Sequence, residues 1–148
     1  MSEISNGAIE YIEQSKLGWL ISVGEDKRPY IRPMGAFFND GLDLYFLTAK
    51  KTEKVKQINA NSIVTFYFEN PEQTYDTFKS VAVSGEAVEV LEENEFKKAV
   101  DGISIRYPAI KDSVENGNIK DSSIYKINTN FIKAADYTKS PKEVSENI

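Results

Sequence analysis

Apolar residues recur along this chain in two periods, and each change of period marks a change of element. Ile4, Ala8, Tyr11 and Ile12 share a helical face, with Ser5 placed as an N-cap and Ile4 and Ile9 as a staple pair. From Leu17 the period becomes two. Leu17, Trp19, Ile21 and Val23 fall on one face and Gly18, Leu20 and Ser22 on the other, until Gly24 to Lys27 supply a turn. This alternation predicts a first strand with Trp19 in the core or at a subunit interface, the core being preferred. A second strand, Arg28 to Asn39, closes at Asn39-Asp40-Gly41, and the alternating segment Leu42 to Thr48 follows, so the two are expected to form a hairpin. Thr52 reads as the N-cap of a two-turn helix carrying Val55 and Ile58. The β-branched and aromatic run Ser62 to Phe68 predicts a fourth strand, and Phe78 to Leu91 a long fifth with a bend at Gly85. Helical spacing returns at Phe96, Ala99, Val100 and Ile103. The stretch from Arg106 to Asp121 reads as loop with one helical turn near Ala109 to Val114, and Ser123 to Ala134 as the last strand.

Six short strands with hairpin turns, a leading helix and a late one predict a mainly β (α+β) antiparallel Greek-key barrel rather than a parallel sheet. Its domain is expected over residues 1–135, with 136–148 a polar arm or tail. Composition narrows the chemistry. The 148 residues include no Cys and no His, which removes thiolate nucleophiles, His-based triads and ordinary zinc hydrolase sites. A net charge of -5 disfavours nucleic acid as a partner. The carboxylates Glu86, Glu89, Glu92, Glu93 and Glu95 read as solvated strand ends and helix starts, so no metal is assigned. Neither an export leader nor an apolar run long enough for a membrane span is present in the sequence, and a cytoplasmic protein is expected. No side chain stands out as a catalytic acid or base, so chemistry would come from a cofactor.

One stretch brings cations and a helix start together. If Thr52 caps its helix, the free N–H groups of the first turn favour an anion, and Lys51 and Lys54 flank it. Thr48 or Thr52 offers a hydroxyl, and Arg32 a planar charged fork from the neighbouring strand. Pro33 and Gly35 suit a strand whose backbone is left free to meet a ligand. Taken singly, each of these residues reads better as a solvated surface, a simple cap or a barrel edge; together they describe a phosphate cradle.

These residues resemble the FMN-binding split barrels related to pyridoxamine 5′-phosphate oxidase, particularly the short general stress proteins. The resemblance is carried by Gly18-Trp19-Leu20-Ile21-Ser22-Val23, by Pro29-Tyr30-Ile31-Arg32-Pro33-Met34, and by Tyr45-Phe46-Leu47-Thr48 leading to Thr52, Lys54 and Ile58. Asn61 with Val64-Thr65, and Val83-Ser84-Gly85-Glu86-Ala87, continue it. It implies a split barrel and a homodimer with FMN at the subunit interface. Arg32, Pro33, Met34 and Gly35 would line the flavin, Thr48, Thr52 and Lys54 would hold its phosphate with Lys51 as a weaker addition, and Ser80 would stand near the ring. It also implies a flavin-dependent oxidoreductase acting on a small-molecule substrate or electron donor. A deazaflavin-binding reductase and a noncatalytic flavin module stay open beside it. Tyr137 would cover the partner's flavin or serve as packing. Ala134 to Lys139 lacks the basic, His-containing substrate motif of the true oxidases.

Overall fold

The computed structural model describes residues 1–148. Four helices, α1 (Glu3–Gln14), α2 (Glu53–Ala60), α3 (Glu93–Ile103) and α4 (Ala109–Glu115), surround eight strands. The strands are β1 (Gly18–Val23), β2 (Pro29–Met34), β3 (Phe37–Asp40), β4 (Asp43–Ala49), β5 (Ile63–Glu69), β6 (Lys79–Glu89), β7 (Ser122–Asp136) and β8 (Glu143–Asn147). All pairings are antiparallel, in the order β2-β1-β5-β6-β7-β4-β3, with β8 added beside the second half of β7. The fold is mainly β, a curled antiparallel sheet of split-barrel type. No helix is long and apolar enough to cross a membrane.

Two strands more than expected arise for separate reasons. The run from Arg28 to Asn39 is not one strand. It divides at Gly35 and Ala36 into β2, which pairs with β1, and β3, which pairs with β4. The expected hairpin therefore joins β3 to β4, and β2 stands at the far end of the strand order. Pro33 has no N–H to carry a ladder onward and Gly35 has no side chain to hold one, so the ladder ends there. Only Gly35 and Ala36 separate the two ends of the strand order, so the sheet must curl until they meet, and the chain itself closes that side of the barrel. Residues 136–148, expected as an arm or tail, include the turn and return strand β8. There Tyr137 packs edge-on against Tyr75 and Phe78, at centroid distances of 5.2 and 5.3 Å.

The barrel interior is aromatic. Phe37, Phe46 and Phe66 are fully buried with Leu20, Val83 and Ile132 around them, each such side chain contributing about 1.5–3 kcal/mol by leaving water. α1 joins this core through Ala8 and Ile12, and α2 through Ile58. A second cluster joins α3 and α4 to β4 and β7 through Tyr45, Val100, Ile103, Ile110 and Ile124.

Two expectations change at the front of the molecule. Ser2 rather than Ser5 caps α1: its Oγ accepts from Ser5 N at 3.0 Å. In β1 the inward residues are Gly18, Leu20 and Ser22, so Trp19 faces outward and half-buried. Aromatic packing sets this phase, since a Cβ at Gly18 would lie 2.0 Å from the Phe66 ring and only glycine fits beneath it. Gly85 does mark an irregularity, because the β6–β7 register shifts between Ser84 and Gly85. A Cβ there would stand 2.0 Å from the Asn128 carbonyl oxygen. Gly85→Ala is expected to destabilise the fold by about 3 kcal/mol, a displacement of both backbones being required. A urea-unfolding midpoint equal to wild type would contradict this.

Arg106, read only as loop, ties the helices to the barrel. Its guanidinium donates to the carbonyls of Ser15 at 3.0 Å, Ile12 at 3.1 Å, Glu13 at 3.2 Å and Phe37 at 3.4 Å. It also lies 4.0 Å from the centre of the Phe37 ring. At the end of α1, where carbonyls run out of helical partners, Arg106 serves Ile12, Glu13 and Ser15, while Ser15 itself serves Ile12 through its N–H and Tyr11 through its hydroxyl.

Candidate functional site

The curl of the sheet places α2 against β1 and β2, and cations from distant parts of the chain meet there. Thr52 has the extended backbone of an N-cap (φ -129°, ψ 159°), and its Oγ1 accepts from Val55 N at 3.4 Å, as expected. That cap turns Lys54 back over the end of β4, where its ammonium donates to Thr48 Oγ1 at 2.8 Å. Gln57, one turn further, lies on the buried side of α2 and faces β1 and β2. Its Oε1 accepts from Ser22 Oγ at 2.7 Å and from Arg32 Nη2 at 3.4 Å.

Arg32 and Lys54 thus stand as neighbouring cations. None of the chain's ion pairs involves either one. Arg32 Nε is buried and has no hydrogen-bond partner, a costly state for a charged donor. Burial, followed by the repulsion of Arg32, lowers the Lys54 pKa below the ordinary lysine value. Two half-buried cations that repel one another, one with an orphaned donor, form a site whose electrostatics are completed by an anion. The hydroxyl protons of Thr48 and Thr52 both point to the Ala49 carbonyl, at 3.4 and 3.2 Å. Both hydroxyls keep lone pairs, but each would have to turn to donate to a ligand.

Of the residues singled out from the sequence, Arg32, Thr48, Thr52 and Lys54 come together here. Lys51 is exposed in the bend before α2. Met34 is 6% exposed and packs into the barrel core, so its side chain does not face the cluster. Pro33 and Gly35 are exposed, and a Cβ on Gly35 would meet only Leu17, at 3.9 Å. Ser80 alternates with the inward Val81 and Val83 and is buried on the outer side, opposite Glu69. Sequence reasoning missed Ser22 and Gln57. Gln57 left a trace, an amide one turn after Lys54 beside Ile58; Ser22 left none, because the alternation of β1 put it on the face opposite the expected core.

The acidic run is dispersed. Glu92 caps α3, Glu95 accepts from the Tyr45 hydroxyl at 2.8 Å, and Glu89 accepts from Ser123 at 3.2 Å. Two open clefts of about 550 and 520 Å³ flank the α1–β1 connection, the first lined by Phe38, Ile105 and Arg106 and the second by Tyr11, Trp19 and Glu69. Neither includes the Arg32–Lys54 cluster. The cluster is the better candidate because its charges are unmatched, whereas the Arg106 guanidinium in the first cleft is held by backbone carbonyls.

Comparison with known proteins agrees with the fold. The sequence model of the pyridoxamine 5′-phosphate oxidase family matches residues 8–134. No protein of curated function matches the chain. Among solved structures, a Clostridium acetobutylicum protein related to general stress protein 26 of B. subtilis, of the pyridoxinephosphate oxidase family, superposes with a TM-score of 0.71. It is 20% identical, and the match covers 99% of this chain and 95% of that one. A conserved hypothetical protein from Mycobacterium tuberculosis gives 0.77 at 22% identity, over 95% and 88% of the two chains. A heme binding protein from Mycobacterium smegmatis gives 0.82 at 12% identity, over 99% of this chain and 59% of its own. At these identities the likeness is one of fold.

Proposed function

The chain belongs to the pyridoxamine 5′-phosphate oxidase family, and from that premise we propose that it binds FMN through the flavin's phosphate and acts as a flavin-dependent oxidoreductase. The observation that carries this reading is the pair Arg32 and Lys54, two cations without a carboxylate partner, one of them with a buried and unbonded Nε. A phosphate dianion supplies the missing acceptors. The donor set fits the group: Arg32 and Lys54 would hold the phosphate, with the free N–H groups of the first α2 turn and the Thr48 and Thr52 hydroxyls beside them. Bound FMN would supply hydride and electron transfer. The residues of this chain bind and orient it, and Lys54 is the one titratable side chain at the cluster besides Arg32. A heme reading has less support, since the chain has no His to serve as an axial ligand.

A second copy of the chain is the partner this reading includes, closing the flavin site. Trp19, Ile21 and Tyr67 share the outer face of β1 and β5, Ile31 lies beside them on β2, and Ile31 remains 62% exposed. Such an apolar strip suits burial against an identical surface.

Titration with FMN, followed by flavin fluorescence, tests the proposal. Saturable binding with riboflavin much weaker is expected; a protein that ignores FMN overturns it. The pH dependence is specific to the site. Because the folded Lys54 pKa lies below the unfolded one, its charged form is disfavoured in the empty protein. The unliganded fold gains stability as pH rises through that window. A phosphate reverses that disfavour while the ammonium persists. FMN affinity should therefore decline on an alkaline limb beginning below the ordinary lysine range, and on an acid limb near the second phosphate ionisation at about pH 6. Lys54→Arg should remove the alkaline limb alone. NADH or NADPH oxidation faster than with free FMN would mark turnover; binding without it would mark a noncatalytic module.

A further inference from the structure

Ser22 and Gln57 are polar residues at positions where the barrel otherwise buries apolar ones. Ser22 is 1% exposed on the inward face of β1, two residues from Leu20, and Gln57 is 7% exposed beside Ile58 on α2. A buried hydroxyl and amide are tolerable only when bonded, and an apolar pair would fill the same space without that condition. Their polarity is set by Arg32. A guanidinium only donates, so the Gln57 atom facing it must be the carbonyl oxygen, and the Ser22 hydroxyl must donate to that same oxygen. Ser22 thereby gives the same oxygen a second donor and anchors the amide to β1 with its carbonyl toward Arg32. The acceptor is also neutral. A carboxylate here would hold the guanidinium equally well but cancel its charge and repel an incoming anion.

We infer that Ser22 and Gln57 form a positioning relay that orients Arg32 toward the phosphate while leaving its charge unmatched. The inference rests on the FMN reading above and adds two residues to it. Gln57→Leu keeps the volume and removes the acceptor. It is expected to raise the Kd for FMN about tenfold, as one charge-assisted hydrogen bond warrants, and to leave the Kd for riboflavin unchanged. Ser22→Ala, a smaller change, should raise the FMN value about threefold. In an Arg32→Ala background both effects should vanish, since the relay acts only through that side chain. Equal losses for FMN and riboflavin, or a tenfold loss that persists without Arg32, would show Gln57 to be a packing residue and overturn the relay. Wild-type protein that binds FMN no better than riboflavin would instead overturn the phosphate reading itself, and the relay with it.

Discussion

Arg32→Ala is expected to weaken FMN binding about a hundredfold while leaving the unliganded protein within about 1 kcal/mol of wild-type stability. The two halves of this outcome have one cause. Arg32 is half-buried beside Lys54, has no carboxylate, and keeps a buried Nε without a partner. In the empty protein its removal relieves a repulsion and an unmet donor, offset by the lost packing of its stem and by one 3.4 Å hydrogen bond to Gln57. Gln57 Oε1 remains bonded to Ser22, so no new buried acceptor is stranded. In the loaded protein the same side chain would give charge-assisted hydrogen bonds to the phosphate, worth about 1.5–3 kcal/mol each. Equilibrium unfolding of the empty protein and FMN titration of the same preparations decide the matter. A large fall in stability with unchanged affinity would assign Arg32 to the scaffold.

The opposite pattern is expected at Arg106. Its guanidinium serves four carbonyls and lies over the Phe37 ring. Burial is the main influence lowering its pKa, and Glu13 opposes it. Arg106→Ala takes this donor from the Glu13, Ser15 and Phe37 carbonyls, leaves Ile12 with Ser15 N–H alone, and opens the contact on Phe37. A loss of about 3 kcal/mol follows, roughly 10 °C in Tm for a chain of this length. Arg106→Lys should recover less than half, because an ammonium cannot reproduce a planar fork spread over several carbonyls. FMN affinity of whatever fraction stays folded should be unchanged. Thermal unfolding within a few degrees of wild type would refute this role. The two arginines separate by their partners: one is saturated by the backbone and stabilises, the other is left unsaturated and would bind.

Much of this could be read from local pattern. Alternation and turn residues located β1, β4, β5, β6 and β7, and the spacing of Phe96, Ala99, Val100 and Ile103 located α3, because a period of two or 3.6 is a property of consecutive residues. The Thr52 cap and the irregular stretch at Pro33 and Gly35 were legible for the same reason. Which face of β1 turns inward was not. Leu17, Trp19, Ile21 and Val23 outweigh Gly18, Leu20 and Ser22 in hydrophobicity, yet the Phe66 ring leaves room only for glycine. Shape across the barrel overrode the apolar count. Arg106 gave no local signal, since its acceptors are main-chain carbonyls 69 to 94 positions away.

For the site, the sequence by itself determined the ingredients: a capped helix start with Lys54 behind it, an arginine on an interrupted strand, and neither Cys nor His to suggest other chemistry. How they meet was decided by tertiary structure alone. Arg32 and Lys54 are not neighbours across a hairpin. β2 and β4 stand with four strands between them in the sheet, and only the curl of that sheet, with α2 laid against β1, brings Arg32, bonded to Gln57, beside Lys54, bonded to Thr48. Residue types and short-range spacing fix what a chain can offer a ligand. Long-range closure, governed by how aromatic side chains fill a curved interior, decides which of those offers face one another.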